Sequence, residues 1–95
     1  MKKNLKPSSP LVSIVIRTKN EERWIDHCLR AITTQSIKDY EIILVDNNSD
    51  DNTVTIAEKY TNKIINVTEF YPGKAINEGI RASSGKFIVI ISGHC

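Results

Sequence analysis

The sequence predicts an α/β fold: an open parallel sheet of four strands with three helices, in the order β-α-β-α-β-α-β. Three observations carry this. Four short runs rich in β-branched residues recur along the chain, at Leu11–Arg17, Glu41–Val45, Lys63–Val67 and Lys86–Ile91. Nearly unbroken apolar runs of that length read as strands covered on both faces. The segments between them carry helical spacing, and the connections are short. Alternation of this kind implies parallel strands, right-handed crossovers and helices on both faces of the sheet.

Met1–Pro10 is polar and holds Pro7, Ser8, Ser9 and Pro10, which reads as a disordered or extended lead-in to a domain over residues 11–95. After the first strand, Thr18–Glu22 (TKNEE) is a polar loop in which Asn20 can cap a helix and Glu21, Glu22 and Asp26 suit its positive end. The first helix is expected over Glu22–Gln35. Ile25, Cys28, Leu29 and Ile32 form its apolar stripe, flanked by Trp24. A second helix is expected over Thr53–Tyr60, with Ser49 and Asp50 as cap candidates. A turn at Pro72–Gly73 precedes a third helix over Lys74–Ser84, whose stripe is Ile76, Gly79, Ile80 and Ser83; Gly85 ends it.

Length and composition set bounds. Ninety-five residues fit one small domain or a piece of a larger one, and 40% apolar with 25% charged residues is ordinary for a globular chain. The net charge of +2 is scattered, with no basic stripe or aromatic platform, so no nucleic-acid partner is expected. Cys28 and Cys95 have no metal-ligand spacing. A buried thiol at Cys28, no disulfide and a reducing cytoplasm are expected. No run approaches the roughly 18 apolar residues needed to span a bilayer, and no leader peptide is visible. The chain stops after its most hydrophobic strand. That implies the amino-terminal part of a longer protein, or a second copy covering the sheet edge.

With β-α-β connectivity, the loops after all four strands share one rim. That rim collects Glu21, Asp46, Asp50 and Asp51, the amides of Asn20, Asn47 and Asn48, Lys74 and His94. Ligands of open α/β sheets bind outside the carboxyl ends of the strands. Carboxylates and amides there can read ribose hydroxyls and a base edge, and a lysine at a helix start suits a phosphate. Asp46, where the apolar run Ile42–Val45 ends, is expected to face an open cleft from the rim. No GxGxxG follows the first strand, which argues against a dinucleotide-binding domain, and no P-loop is present.

Four motifs then stand in order: VSIVIRTKNEE, QSIKDYEIILVDNNSDDNT, PGKAINEGIRASSG and KFIVIISGHC. Together they resemble the family 2 glycosyltransferases, whose fold is the Rossmann-like GT-A fold, from about Leu11 to Cys95. The second motif is the most specific; Gln35, Glu41, Asp46, Ser49, Asp51 and Thr53 match the family pattern. The resemblance implies the nucleotide-sugar-binding part of a glycosyltransferase of the hexosyltransferase type, acting in polysaccharide biosynthesis. Its partners would be a nucleotide-diphosphate sugar, a UDP-sugar first, and a saccharide, lipid-linked or cell-envelope acceptor. Thr18, Asn20 and Glu21 would line the base pocket, Asp46 and Asn47 would contact base or ribose, and Lys74 would lie near the ribose or pyrophosphate. Catalysis would be displacement at the anomeric carbon, with inversion favoured. The base and acceptor half would lie outside this chain, which alone would bind donor without turnover.

The family places an Asp-x-Asp pair after the fourth strand to hold Mg²⁺ or Mn²⁺ against the diphosphate. Here Ser92-Gly93-His94 stands there, Asn47 replaces a second aspartate and Arg17 a proline. Serine is a poor ligand for a hard cation. This leaves metal dependence open, with His94 able to meet Mn²⁺ or the pyrophosphate directly. A cytoplasmic location, including the cytoplasmic face of the membrane, is implied. The alternative reading is a non-catalytic flavodoxin-like or receiver-like binding module, which the third strand's end, Val67-Thr68-Glu69, fits weakly.

Overall fold

The computed structural model describes residues 10–36, 38–68 and 72–92. The elements are β1 (Val12–Thr18), α1 (Ile25–Thr33), β2 (Tyr40–Asp46), α2 (Thr53–Ala57), β3 (Ile64–Asn66), α3 (Pro72–Ala82) and β4 (Phe87–Ser92). All pairings are parallel, and the sheet order is β3-β2-β1-β4. The expected alternation and parallel sheet are therefore present.

The two central strands separate the faces by side-chain parity. Ile16, Ile42 and Leu44 pack with Ile25 and Leu29 of α1 and Ala57 of α2. Val15, Ile43 and Val45 form a second cluster with Val67 on the opposite face. Each fully buried Ile or Leu contributes about 1.5–3 kcal/mol. Gly79 of α3 lies on that second face, where an added Cβ would stand 2.3 Å from Val15 Cγ1 and 3.1 Å from Val45 Cγ2. The missing side chain is what lets α3 approach the sheet.

Several boundaries differ from the sequence expectation. β1 and β2 each run through the polar residue after the apolar run, because backbone pairing continues to Thr18 opposite Asp46. α1 starts at Ile25 instead of Glu22, since Trp24 N and Ile25 N both donate to Glu21 O and form a tight turn first. α2 ends at Ala57, short of Tyr60, whose hydroxyl donates to Asp26 Oδ1 on α1 at 2.6 Å. Pro72 begins α3 and does not sit in a turn before it. Proline suits that position, because its fixed φ is helical and its missing N–H would have no intrahelical acceptor. Ile80, expected inward, is largely exposed, while Cys28 is fully buried as expected. Cys28 is disulfide-bonded, against the expectation of a free thiol.

β4 is an edge strand, and Phe87, Ile88, Val89 and Ile90 are all exposed, between 39% and 55%. Among the described residues, both faces of this strand are thus only partly covered, with Ile91 packed against the core. Among the described residues, no helix is long and apolar enough to cross a membrane.

Candidate functional site

The carboxyl ends of all four strands lie along one edge. Asp46 stands opposite Thr18 on one side and Asn66 on the other, while Ser92 stands opposite Arg17. From β1 the chain proceeds to β2 and β3 in one direction, then crosses to β4 on the other side. The crevice between β1 and β4 is therefore the switch point at which such sheets take ligands.

Asp46 is the node of this edge. Its Oδ1 accepts from Thr18 Oγ1 at 2.6 Å and from Ser49 Oγ at 2.6 Å, and its Oδ2 accepts from Ser49 N at 2.8 Å. The residue is 1% exposed, so the carboxylate does not face an open cleft as the sequence led us to expect. Three donors from two loops satisfy it, which is the condition under which a carboxylate can leave water. Asp46 holds the rim from beneath; its neighbour Asn47 is half-buried, and Asn48 is exposed.

The Thr18–Glu22 and Asp46–Asn52 loops are laced together. Asn20 N donates to Ser49 Oγ at 2.8 Å, and Asp50 N donates to Asn20 Oδ1 at 2.9 Å. Glu21 N donates to Thr53 Oγ1 at 2.8 Å, and Lys19 Nζ reaches Asn48 O at 3.0 Å. Asn52 Nδ2 donates to Glu22 Oε1 at 2.7 Å, and Glu22 N donates to Asp51 Oδ2 at 3.1 Å. Asn20 and Asn48 adopt φ of 50° and 51°, a left-handed backbone that asparagine tolerates better than most residues. Asn20 is thus a loop clasp and not the cap of α1, whose N-cap is Trp24. Ser49 and Asp50 do not cap α2 either. Asn52 occupies that position, and Asp51 Oδ1 accepts from Thr53 N at 2.9 Å. Burial alone would raise the Asp51 carboxyl, but hydrogen bonds from the Thr53 hydroxyl and amide and the Glu22 amide outweigh it and hold it below its ordinary 3.8.

Of the residues singled out in the sequence, Thr18, Asn20, Glu21, Asp46 and Asn47 come together on this edge. Lys74 falls in the first turn of α3, and His94 lies outside the described residues. Lys19, Glu22 and Asn66 were not anticipated as parts of the edge; Asn66 Oδ1 accepts from Asn48 N at 3.2 Å. Only the strand register, which puts Asn66 opposite Asp46, could have signalled the last.

A divalent cation fits the described residues poorly. Among them, no group of three or more His, Cys, Asp or Glu side chains could hold a metal. Both Asp46 oxygens are taken by protein donors, and Ser92 offers a hydroxyl where a hard cation prefers a carboxylate.

Residues 13–95 match the family described as Glycosyl transferase family 2. This chain belongs to that family. The match sets aside the flavodoxin-like or receiver-like alternative. Glycosyltransferase AglE of Haloferax volcanii is 37% identical over 94 residues, covering 90% of this chain and 31% of that protein. The crystal structure of S. aureus TarS 1-349 in complex with UDP-GlcNAc superposes with a TM-score of 0.80 at 27% identity, over 87% of this chain and 26% of that one. The mannosyltransferase PcManGT from Pyrobaculum calidifontis, in complex with GDP-Man and Mn²⁺, shares the fold with a TM-score of 0.81 at 21% identity, over 99% and 31% of the two chains. The α/β arrangement is that of the GT-A glycosyltransferases. The chain spans about a third or less of the length of these relatives.

Proposed function

We propose that this chain is the nucleotide-sugar-binding portion of a family 2 glycosyltransferase. The whole enzyme would transfer a sugar from a nucleotide diphosphate, a UDP-sugar first, to a saccharide, lipid-linked or cell-envelope acceptor in polysaccharide biosynthesis. The observation that carries this is the laced pair of loops at the carboxyl ends of β1 and β2, beside the switch point, in a chain that matches the family over residues 13–95. UDP-GlcNAc in the TarS complex supports the choice of donor class.

Thr18, Asn20 and Glu21 would form one wall for the base, and Asn47 would pair with the base edge or ribose through its amide. Asp46 would act from below, fixing the loop that presents Asn47. Lys74, at the start of α3, would meet the ribose or pyrophosphate. In the transfer, the bond from the anomeric carbon to the diphosphate oxygen breaks and a bond to the acceptor oxygen forms. The acceptor proton passes to a base outside this chain, and the diphosphate leaves with the nucleotide.

His94 is the residue we assign to the pyrophosphate, or to a Mn²⁺ should the whole enzyme take one. The Mn²⁺ in the mannosyltransferase complex makes the cation worth testing. A cytoplasmic location is also part of this proposal. Thiol titration of protein trapped directly from cells decides the point: a reactive Cys28 in the denatured chain is the cytoplasmic result.

Titration with UDP, with and without Mn²⁺, tests the donor site. A rise in melting temperature at millimolar UDP is expected, by mass action on the folded state. No shift in either condition overturns the reading.

A further inference from the structure

A second polar cluster lies at the opposite end of the sheet, where no substrate is placed. Glu41, near the start of β2, has a side chain only 10% exposed. Its Oε2 accepts from Ser84 N at 2.7 Å, from Ser84 Oγ at 3.0 Å and from Ser13 Oγ of β1. Its Oε1 accepts from Lys63 Nζ. Ser13 Oγ in turn accepts from Gly85 N at 2.7 Å. Gly85 is pressed against β1: a Cβ there would stand 2.6 Å from Ser13 N and 2.8 Å from Val12 C. The turn after α3 is therefore clamped to β1 and β2 by one carboxylate, while Gly79 fixes the height of the helix over Val15 and Val45.

The clamp lies far from the rim, yet α3 connects the two. From Glu41 to Asp46, β2 rises about 17 Å at roughly 3.3 Å per residue. From Ala82 back to Lys74, α3 covers about 12 Å at 1.5 Å per residue, and Ser83 and Ser84 add the last step to Glu41. A helix held at Ser84 beside Glu41 thus brings the backbone of Lys74 level with Asp46. A slip of one turn would move it by about 5 Å.

We propose that Glu41 is a positioning residue for the donor site: by gripping the chain after α3, it sets where the first turn of that helix stands against the Asp46 loop. This rests on the donor-binding reading above. Glu41 itself touches no donor. Its effect passes through α3 and is read out at Lys74.

A double-mutant cycle on the full-length protein tests this, with UDP affinity measured by calorimetry at a temperature where melting curves show every variant folded. Glu41→Ala is expected to weaken UDP binding about tenfold, and less than about twofold in a Lys74→Ala background, because coupled positions are not additive. Glu41→Gln keeps the size of the side chain and serves where the alanine variant does not fold; it should show the same coupling with a smaller loss. Effects that simply multiply, or a Lys74→Ala variant with unchanged affinity, overturn the inference while leaving the donor site standing. A wild-type protein that binds no UDP defeats the donor-site reading and this inference with it.

Discussion

The hydroxyl of Thr18 donates to the carboxylate of Asp46 across 2.6 Å, joining the last residues of the two central strands inside the protein. Ser49 donates twice to the same carboxylate, and the Asn20 amide donates to the Ser49 hydroxyl, so one acidic group organises both loops. Asp46→Asn keeps the shape but exchanges one acceptor oxygen for an NH₂ group that meets a donor. The expected cost is about 1–3 kcal/mol, the range for leaving a buried polar group unsatisfied. Urea unfolding measures it, and UDP affinity should fall with it.

Asn48 sits at φ 51° with an exposed side chain, while its backbone N–H is held by Asn66 and its carbonyl by Lys19. Asn48→Gly keeps these bonds and relaxes the backbone, so stability should change by only a few tenths of a kcal/mol. Asn48→Val forces a β-branched residue into the left-handed region and should cost about 1–2 kcal/mol. Equal melting temperatures for the two variants would show that the loop does not hold this conformation.

Two glycines of α3 should respond in opposite senses. At Gly79 a methyl group would meet Val15 Cγ1 at 2.3 Å, within a packed core, whereas at Gly73 nothing among the described residues lies within 4 Å. Alanine gains up to about 1 kcal/mol over glycine inside a helix. At Gly79 the overpacking cost of about 1–3 kcal/mol exceeds that gain. Chemical denaturation should place Gly73→Ala at or above the wild type and Gly79→Ala below it.

Burial would raise the Glu41 carboxyl, but hydrogen bonds from Lys63, Ser13 and Ser84 outweigh it and lower it from its ordinary 4.5 to about 2. A group whose folded value is depressed adds stability above its unfolded value and loses it as pH falls toward the folded one. The contribution is therefore complete above about pH 4.5 and lost progressively toward pH 2. Melting curves across that window should decline more steeply for the wild type than for Glu41→Gln. Parallel declines would show that the clamp does not form.

The order of elements was legible because each apolar run is short and each helix carries its own stripe, so local pattern and fold agree. Boundaries moved where a tertiary partner decided them. β2 reaches Asp46 because β1 supplies Thr18 opposite it, and α1 waits until Ile25 because Glu21 closes a turn first. The sharing of one edge by Thr18, Asn20, Glu21, Asp46 and Asn47 followed from connectivity alone. The burial of Asp46 did not, since a carboxylate ending a strand reads as solvent-facing until the hydroxyls of Thr18 and Ser49 are seen around it. Likewise Glu41 was visible as a motif position, but its partners Ser13 and Ser84 are far from it in the chain and meet it only once the sheet and α3 have packed.

The enclosure of Asp46 bears on how any mutational map of this region is to be interpreted. A scan ranking positions by lost nucleotide affinity would score Asp46 as highly as a true contact, although its oxygens are already engaged by the protein. Affinity divided by residual folding stability, position by position, is the quantity that separates the scaffold from the surface a ligand meets.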